Sequence, residues 1–339
     1  MRAVAVHEHG GPDHLVFEAN YPDPTPGPGD VIVRVKACSL NYHDIFTRRG
    51  MPGIKLDLPV VPGLDLAGEI AEVGPDVEGW NVGDRVLVDP RNRVEHKLQG
   101  ENVDGGLAEY SKAKAHQLVP IPDGVSFAEA ASLPVAYGTA HRMMVTIGKV
   151  KAGEKVLVLG ASGGVGTGAL LLAKNAGAEV VAAGSSEEKL ARLEELGADH
   201  TIDYTKEEFH KAIYALYGKP HRREYGGGCD VVVNFTGGDT WVPSFKSLGR
   251  GGRLLTCGAT SGPYATANVN RVFWSQLEIV GSTMATPGEA ETVLELVWDG
   301  TFEPRIRETL PMSETGRAHE LLENREGFGK VVVIPDSER

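Results

Sequence analysis

VLVLGASGGVG, Val156–Gly166, is four apolar residues followed by a run almost without side chains. The apolar run reads as a buried strand, and GVGTGALLLAKNAG, which begins inside the glycine run, carries apolar residues at helical spacing. A strand that turns through bare backbone into a helix presents free N–H groups at the helix start, a ready place for an anion. Gly160, Ala161, Ser162, Gly163, Gly164, Val165 and Gly166 are therefore candidates for binding a dinucleotide. Gly163 would let the backbone approach a pyrophosphate, and Gly166 would let the helix pack on the strand. Glycine turns also occur for packing reasons alone, so the neighbouring segments decide the reading.

Downstream, strand candidates KVLVLG, EVVAAG, ADHTID, CDVVVNF, GRLLTCG and LEIVGS alternate with helical patterns such as SEEKLARLEELG, KEEFHKAIYALYG and DTWVPSFKSLG. Alternation of this kind implies an α/β fold, a doubly wound parallel sheet with helices on both faces. Upstream, AVAVHEHG, DVIVRVKACSL, AGEIAEVG and DRVLVD are short strand-like runs separated by the turn segments PDPTPGPGD, PGIKLDLP and EGWNVGD, so the first third is expected to be mostly β. Ser126, with Glu129 three residues later, marks a helix start where the pattern changes. The last fifty residues give a helix (GEAETVLELVWDG), a strand, a helix (GRAHELLENR) and a final strand, GKVVVIP. GKPHRREYGGG reads as an exposed loop.

A chain of 339 residues favours two domains, and 41% hydrophobic with 24% charged residues is an ordinary soluble composition. The net charge of −12 argues against a nucleic-acid or anionic-membrane surface. Cys38, Cys229 and Cys257 lie far apart with no CxxC pair, which suits a reducing cytoplasm. The N-terminus turns polar too soon for a signal peptide, and no apolar run is long enough to span a membrane.

The dinucleotide's 2′ position is read at the end of the second strand. There Gly184, Ser185 and Ser186 stand where an NAD enzyme would carry an acid, and Lys189 follows. An acid would repel a 2′-phosphate, whereas small hydroxyls and a lysine hold one, so NADP(H) is the expected cofactor. Glu187 and Glu188 are ordinary acids of a first helical turn.

GGPDHL, LPVVPGLDLAGEIAEVG, GDRV, GGLAEY, SLPVAYGTA, the glycine turn and GKVVV, in this order, resemble the medium-chain dehydrogenase/reductase superfamily over essentially the whole chain. The resemblance implies a GroES-like, mostly β catalytic domain from residues 1–126 and 287–339, and a Rossmann dinucleotide-binding domain from residues 127–286. Zinc alcohol dehydrogenases of that superfamily hold a catalytic metal through a Cys three residues before an Asp, a His after PG, and a Cys on the helix entering the nucleotide domain. Here Asn41, Leu64 and Val135 occupy those places. The four cysteines of the family's structural zinc are missing from DPRNRVEHKLQGENVDGG, so no zinc is expected. The departures, with SLNYHD, resemble the zinc-independent quinone and enoyl reductase branch.

That branch implies NADPH-dependent hydride transfer to a quinone or an α,β-unsaturated carbonyl. The alternatives are an alcohol or aldehyde dehydrogenase, and a crystallin-like protein that binds the cofactor without turnover. Asn41, Tyr42 and His43 are the candidate catalytic residues. Asn41 is expected to donate to the substrate oxygen or order the nicotinamide ribose, or else to cap a strand end. The resemblance places Tyr42 near the cofactor pyrophosphate, where its hydroxyl serves the cofactor or acts as a proton donor, or else packs the cleft, and makes His43 a proton relay or else a surface or core histidine without a role. The resemblance also places Thr139 against the nicotinamide, Tyr204 beside the adenosine phosphate, and Lys330 near the pyrophosphate, although Lys330 could instead pair with Asp65. Thr236 and Gly258 end the fourth and fifth strands, where cofactors lie in doubly wound sheets. A homodimer or homotetramer, paired through the edge strand LEIVGS, and a small-molecule substrate complete the expectation.

Overall fold

Residues 1–50, 56–221 and 223–338 are described by the computed structural model, so the turn expected over 52–59 and the loop expected over 218–228 lie partly outside the described residues. The chain divides into two units, Met1–Val135 with Leu294–Arg339, and Ala136–Val293. These divisions fall several residues beyond 126 and 286. Helix Phe127–Ala131 packs on strands Asp30–Ser39 and Asp65–Val73 of the first unit, and helix Pro287–Trp298 runs through the second division.

In the first unit, a seven-stranded sheet runs in the order Ile306–Pro311, Lys330–Ile334, Asp30–Ser39, Asp65–Val73, Arg85–Val88, Leu118–Pro120, with Tyr110–Lys114 also paired to Asp30–Ser39. Side chains alternate across a strand, so Val31, Val33 and Val35 share one face and pack with Leu66, Ile70, Val86 and Val88. Cys38 and Leu40, of opposite parity, enter a second cluster with Ala3, Val4, Val331 and Val333. Burial of each large apolar side chain contributes about 1.5–3 kcal/mol.

A helix, Tyr42–Arg49, interrupts the strands expected of the first third. Its sequence YHDIFTRR has no apolar stripe, so periodicity does not reveal it. Local and tertiary polar groups hold it instead. The Asp44 carboxylate accepts the Asn41 backbone N–H at 2.7 Å, and Arg48, fully buried, donates to Glu323 of the C-terminal helix Thr315–Glu323.

In the second unit, six parallel strands run in the order His200–Asp203, Glu179–Gly184, Lys155–Val158, Cys229–Val233, Leu248–Thr256, Glu278–Gly281. The order reverses between the third and fourth of these, the position where doubly wound sheets hold ligands at their carboxyl ends. Leu157, Val181, Val232 and Leu254 are buried, as strands covered on both faces require. The expected helices form at Gly164–Asn175, Glu187–Glu195, Phe209–Tyr217 and Trp241–Ser247; a further helix, Val269–Ser275, was not evident from the pattern.

Candidate active site

The glycine turn sits at the carboxyl end of strand Lys155–Val158. Gly160 has φ +65°, a backbone conformation open to glycine, and its N–H-bearing neighbours fold back so that the Gly163 N–H donates to the Gly160 carbonyl at 3.1 Å. Helix Gly164–Asn175 then starts, and Thr167 N–H is the first to close onto it, at 2.8 Å from the Gly163 carbonyl. The N–H groups of the first turn therefore lack helical acceptors. The two glycines differ in the space around them. A Cβ on Gly166 would lie 2.2 Å from the Gly160 carbonyl oxygen and 2.6 Å from Ala161 Cα, whereas one on Gly163 would meet nothing closer than 3.5 Å. Gly163 borders open space at the helix start, and the turn fits a pyrophosphate.

At the end of strand Glu179–Gly184 the expectation needs correction. Gly184 does not leave space for a ligand: a Cβ there would point at Leu190 Cδ2, 2.9 Å away, and Leu193 Cδ1, 3.5 Å away. The next residues, Ser185, Ser186 and Lys189, are half-buried. Ser186 caps helix Glu187–Glu195 by accepting the Lys189 N–H at 3.3 Å, and Lys189 Nζ lies 3.2 Å from Ser185 Oγ. Tyr204, 45% exposed, is tied to the same strand end by its N–H, which donates to the Gly184 carbonyl at 3.1 Å. Glu187 pairs with Lys206 at 3.0 Å and Glu188 with Arg192 at 3.3 Å, so both acids have cations of their own.

Thr236 spends its hydroxyl inside the unit, donating to Asn234 Oδ1 at 2.8 Å, with Thr240 Oγ1 also 2.8 Å away. Gly258 lines a cavity of about 290 Å3 with Gly237, Trp241, Thr256, Cys257 and Ser282. Burial pushes the Cys257 thiol up to about 12, so it is no nucleophile near neutrality. Thr139 is buried on helix Ala136–His141.

In the first unit three strand ends converge. Ser39 pairs with Asp65, and Leu40 N–H donates to the Val331 carbonyl at 2.9 Å, which brings Asn41, Asp65 and Lys330 together. Asn41 Nδ2 donates to Asp65 Oδ2 at 2.8 Å and to the Ser39 carbonyl at 3.3 Å, while its Oδ1 accepts from Lys330 Nζ at 2.6 Å. Lys330 Nζ also donates to the Leu40 carbonyl at 2.8 Å and stands 3.6 Å from Asp65 Oδ2. The other Asp65 oxygen accepts the Val135 N–H at 3.1 Å. Burial pushes the Asp65 carboxyl up to about 7, against Lys330 and Asn41, which favour the anion. Burial likewise pulls the Lys330 ammonium down, against Asp65 and Asp44.

Two expectations change here. Lys330 is committed to this buried cluster, in the pairing with Asp65 that was its alternative. Asn41 has both amide hydrogens in use, so to donate to a substrate it would have to release Asp65 or Ser39.

The cluster does not fit a catalytic zinc. The metal needs about three converging N, S or O donors. The amide and carboxylate here already close on an ammonium, and Leu64 and the Val135 backbone bring no further side-chain donor. Cys38 lies in the apolar core, where a Cβ on Gly63 or Gly106 would come within 2.7 or 3.0 Å of its Sγ, and burial raises its thiol far above the usual range. Among the described residues no group of three or more His, Cys, Asp or Glu is placed to hold a metal. The segment where the family's structural zinc would sit is tied by amides: Gln99 Nε2 donates to the Asp104 carbonyl at 2.5 Å and to Ser111 Oγ at 2.9 Å, and Asn92 Oδ1 accepts from Val94 and Glu95 N–H.

His43 and Tyr42 open the helix beside this cluster. Their rings meet Phe46 edge-on, at centroid distances of 6.5 and 5.3 Å. His43 Nε2 lies 2.5 Å from Glu101 Oε2, a partner that no local pattern reveals, since it is 58 residues away in a turn without a motif. Asp44, the Asp three residues after Asn41, accepts the N–H groups of Asn41, Gly63 and Leu64 and so fixes the start of the helix.

Comparison with known proteins agrees with this architecture. Residues 27–123 match the alcohol dehydrogenase GroES-like domain family and residues 164–299 the zinc-binding dehydrogenase family. The chain is 33% identical to an acryloyl-coenzyme A reductase of Sulfurisphaera tokodaii, over 99% of this chain and all of that one. It is 30% identical to a quinone oxidoreductase of Lama guanicoe, over 98% and 97% of the two chains. A solved NAD-dependent alcohol dehydrogenase superposes with a TM-score of 0.90 at 39% identity, covering 98% of this chain and 99% of that one. The chain belongs to the medium-chain dehydrogenase/reductase superfamily, with a Rossmann sheet and a GroES-like domain. Within it, it is an oxidoreductase.

Proposed function

We propose that the protein is an NADPH-dependent, metal-free reductase that delivers hydride to a quinone or an α,β-unsaturated carbonyl. The observation that carries the reading is the closed Asn41–Asp65–Lys330 cluster, in which an ammonium occupies the electrostatic role a metal would need. Without a Lewis acid, oxidation of an unactivated alcohol is poorly served, whereas a conjugated acceptor needs only positioning and a proton. Two relatives bear the names acryloyl-coenzyme A reductase and quinone oxidoreductase, and both names describe conjugated acceptors.

When bound, the dinucleotide supplies the hydride. The chain's own part is to hold its pyrophosphate with the first-turn N–H groups of helix Gly164–Asn175 and its 2′-phosphate with Ser185, Lys189 and Tyr204. Thr139 is assigned to the nicotinamide, and Thr236 and Gly258 to the carboxyl edge of the sheet where the dinucleotide lies. The edge strand Glu278–Gly281, with Ile279 exposed, is assigned to pairing of subunits in a homodimer or homotetramer.

An NAD-dependent alcohol dehydrogenase is the second reading, favoured by the solved structure at 39% identity. One assay separates the two: oxidation of NADPH and NADH against quinones, enones, enoyl thioesters and aldehydes, with and without a strong chelator. Chelator-resistant reduction of a conjugated acceptor is expected. Alcohol oxidation abolished by chelator and restored by zinc would overturn the proposal.

A further inference from the structure

We propose that His43 is the proton donor of the reduction and that Glu101 is the positioning residue that holds it, an inference that rests on the reductase reading above. Of the residues that open helix Tyr42–Arg49, Asn41 is closed in on Asp65, Ser39 and Lys330. His43 is different: its side chain keeps 30% of its surface while that of Glu101, its partner, keeps 13%. The imidazole is thus held at Nε2 while part of its side-chain surface stays exposed. Nε2 faces the carboxylate at 2.5 Å, and Nδ1 has no hydrogen-bond partner among the described residues. A ring oriented through one nitrogen with the other left over is the arrangement in which an imidazole passes a proton.

Glu101 is built into place. Its N–H donates to the Leu98 carbonyl at 3.2 Å, Gly100 N–H to the Val103 carbonyl at 2.8 Å, and the neighbouring Gln99 is buried among the Asp104 carbonyl, Ser111 and Lys112. The segment left without structural-zinc cysteines is thereby tied down by hydrogen bonds on either side of the carboxylate that meets the helix. Electrostatics agree with the geometry. Burial works against the imidazolium, but Glu101 and Asp44 outweigh it and hold His43 above its ordinary value, and the bond to His43 holds the Glu101 carboxyl below its own. Among the described residues these two carboxylates are the charged groups that act on the ring.

The step balances. Addition of hydride to a conjugated carbon leaves an enolate. The His43 N–H bond breaks, a C–H or O–H bond forms on the substrate, and the N–H electron pair remains on the now neutral ring, which recovers a proton from water.

The test joins an NMR titration of the His43 imidazole, assigned by its disappearance in His43→Gln, with kcat–pH profiles of wild type, Glu101→Gln, His43→Gln and Tyr42→Phe. His43→Gln is expected to lose about a hundredfold or more in kcat with KM little changed. A proton donor fails as pH rises through its pKa, so Glu101→Gln should move both the imidazole titration and the falling limb of kcat to lower pH. An unchanged titration in Glu101→Gln overturns the pairing while leaving the reductase reading intact. Full turnover in His43→Gln, or loss confined to Tyr42→Phe, overturns the donor assignment. Wild type that reduces no conjugated acceptor sinks the reductase reading and this donor role together, whatever the titration gives.

Discussion

The glycine turn of the second unit and the buried cluster of the first are both polar groups gathered at strand ends, yet they are built in opposite ways. The turn uses consecutive residues, Gly160 to Gly166, and offers backbone donors that its own helix leaves unused. The cluster uses side chains drawn from 24 and 289 residues apart, and each polar atom of the Asn41 amide is taken within it. Donors left over are suited to an incoming anion. Donors that close on one another, away from water, fix architecture and cost stability when one member is removed.

That difference predicts its largest effect at Lys330. Lys330→Met would leave Asp65 buried without its cation, a loss of about 3–5 kcal/mol. The sign with pH follows from Asp65. Its carboxyl, raised to about 7, binds a proton more readily folded than unfolded, near 3.9, so ionisation costs stability as pH rises through that window. Removing the ammonium raises the carboxyl further. The variant's deficit should therefore be larger at pH 8 than at pH 5, read by urea unfolding at both, and Asp65→Asn added to Lys330→Met should recover part of it. If Lys330 served the pyrophosphate, the variant would lose dinucleotide affinity and show a small, pH-independent change in stability.

Inside the turn the same contrast appears between two glycines. Gly166→Val places its Cβ 2.2 Å from the Gly160 carbonyl, and backbone must move, a cost of about 1–3 kcal/mol. Gly163→Ala meets nothing within 3.4 Å, so stability should change by less than about 0.5 kcal/mol while dinucleotide affinity falls. Thermal unfolding and cofactor titration of the two variants check this. Equal effects of both on stability would mean that the turn is packing and nothing more.

These contrasts also account for what the sequence made legible. The parallel sheet, its helices and the turn announce themselves because apolar strands, amphipathic helices and glycines are local patterns. Helix Tyr42–Arg49 did not, because capping by Asp44 and the pairing of Arg48 with Glu323 stabilise it in place of an apolar stripe. The Lys330 environment required knowing that strand Lys330–Ile334 lies antiparallel to Asp30–Ser39, with Val332 opposite Ser39. Glu101 carried no local signal at all. Gly184 misled for another reason: a glycine is silent about the direction its missing side chain would take, and here that direction is inward, toward Leu190.

The smallest effect concerns the choice between the two dinucleotides, and the inward direction at Gly184 moves the experiment to its neighbours. In the proposed reading the turn holds the pyrophosphate of either cofactor, so discrimination falls to Ser185, Lys189 and Tyr204 at the strand end. Ser185 and Lys189 are half-buried and Tyr204 is exposed, so water and salt still screen a cation's pull on the 2′-phosphate. A net contribution of about 1–1.5 kcal/mol is therefore expected, a preference for NADPH over NADH of roughly tenfold. Lys189→Gln should remove most of it without touching NADH. Ser185→Asp should reverse it, since a carboxylate accepts from a free ribose hydroxyl and repels a phosphate. Calorimetric titration of wild type and both variants with each dinucleotide reads these ratios. Tighter NADH binding by wild type would show that this strand end does not read the 2′ position, and would move the chain toward its NAD-dependent structural neighbour.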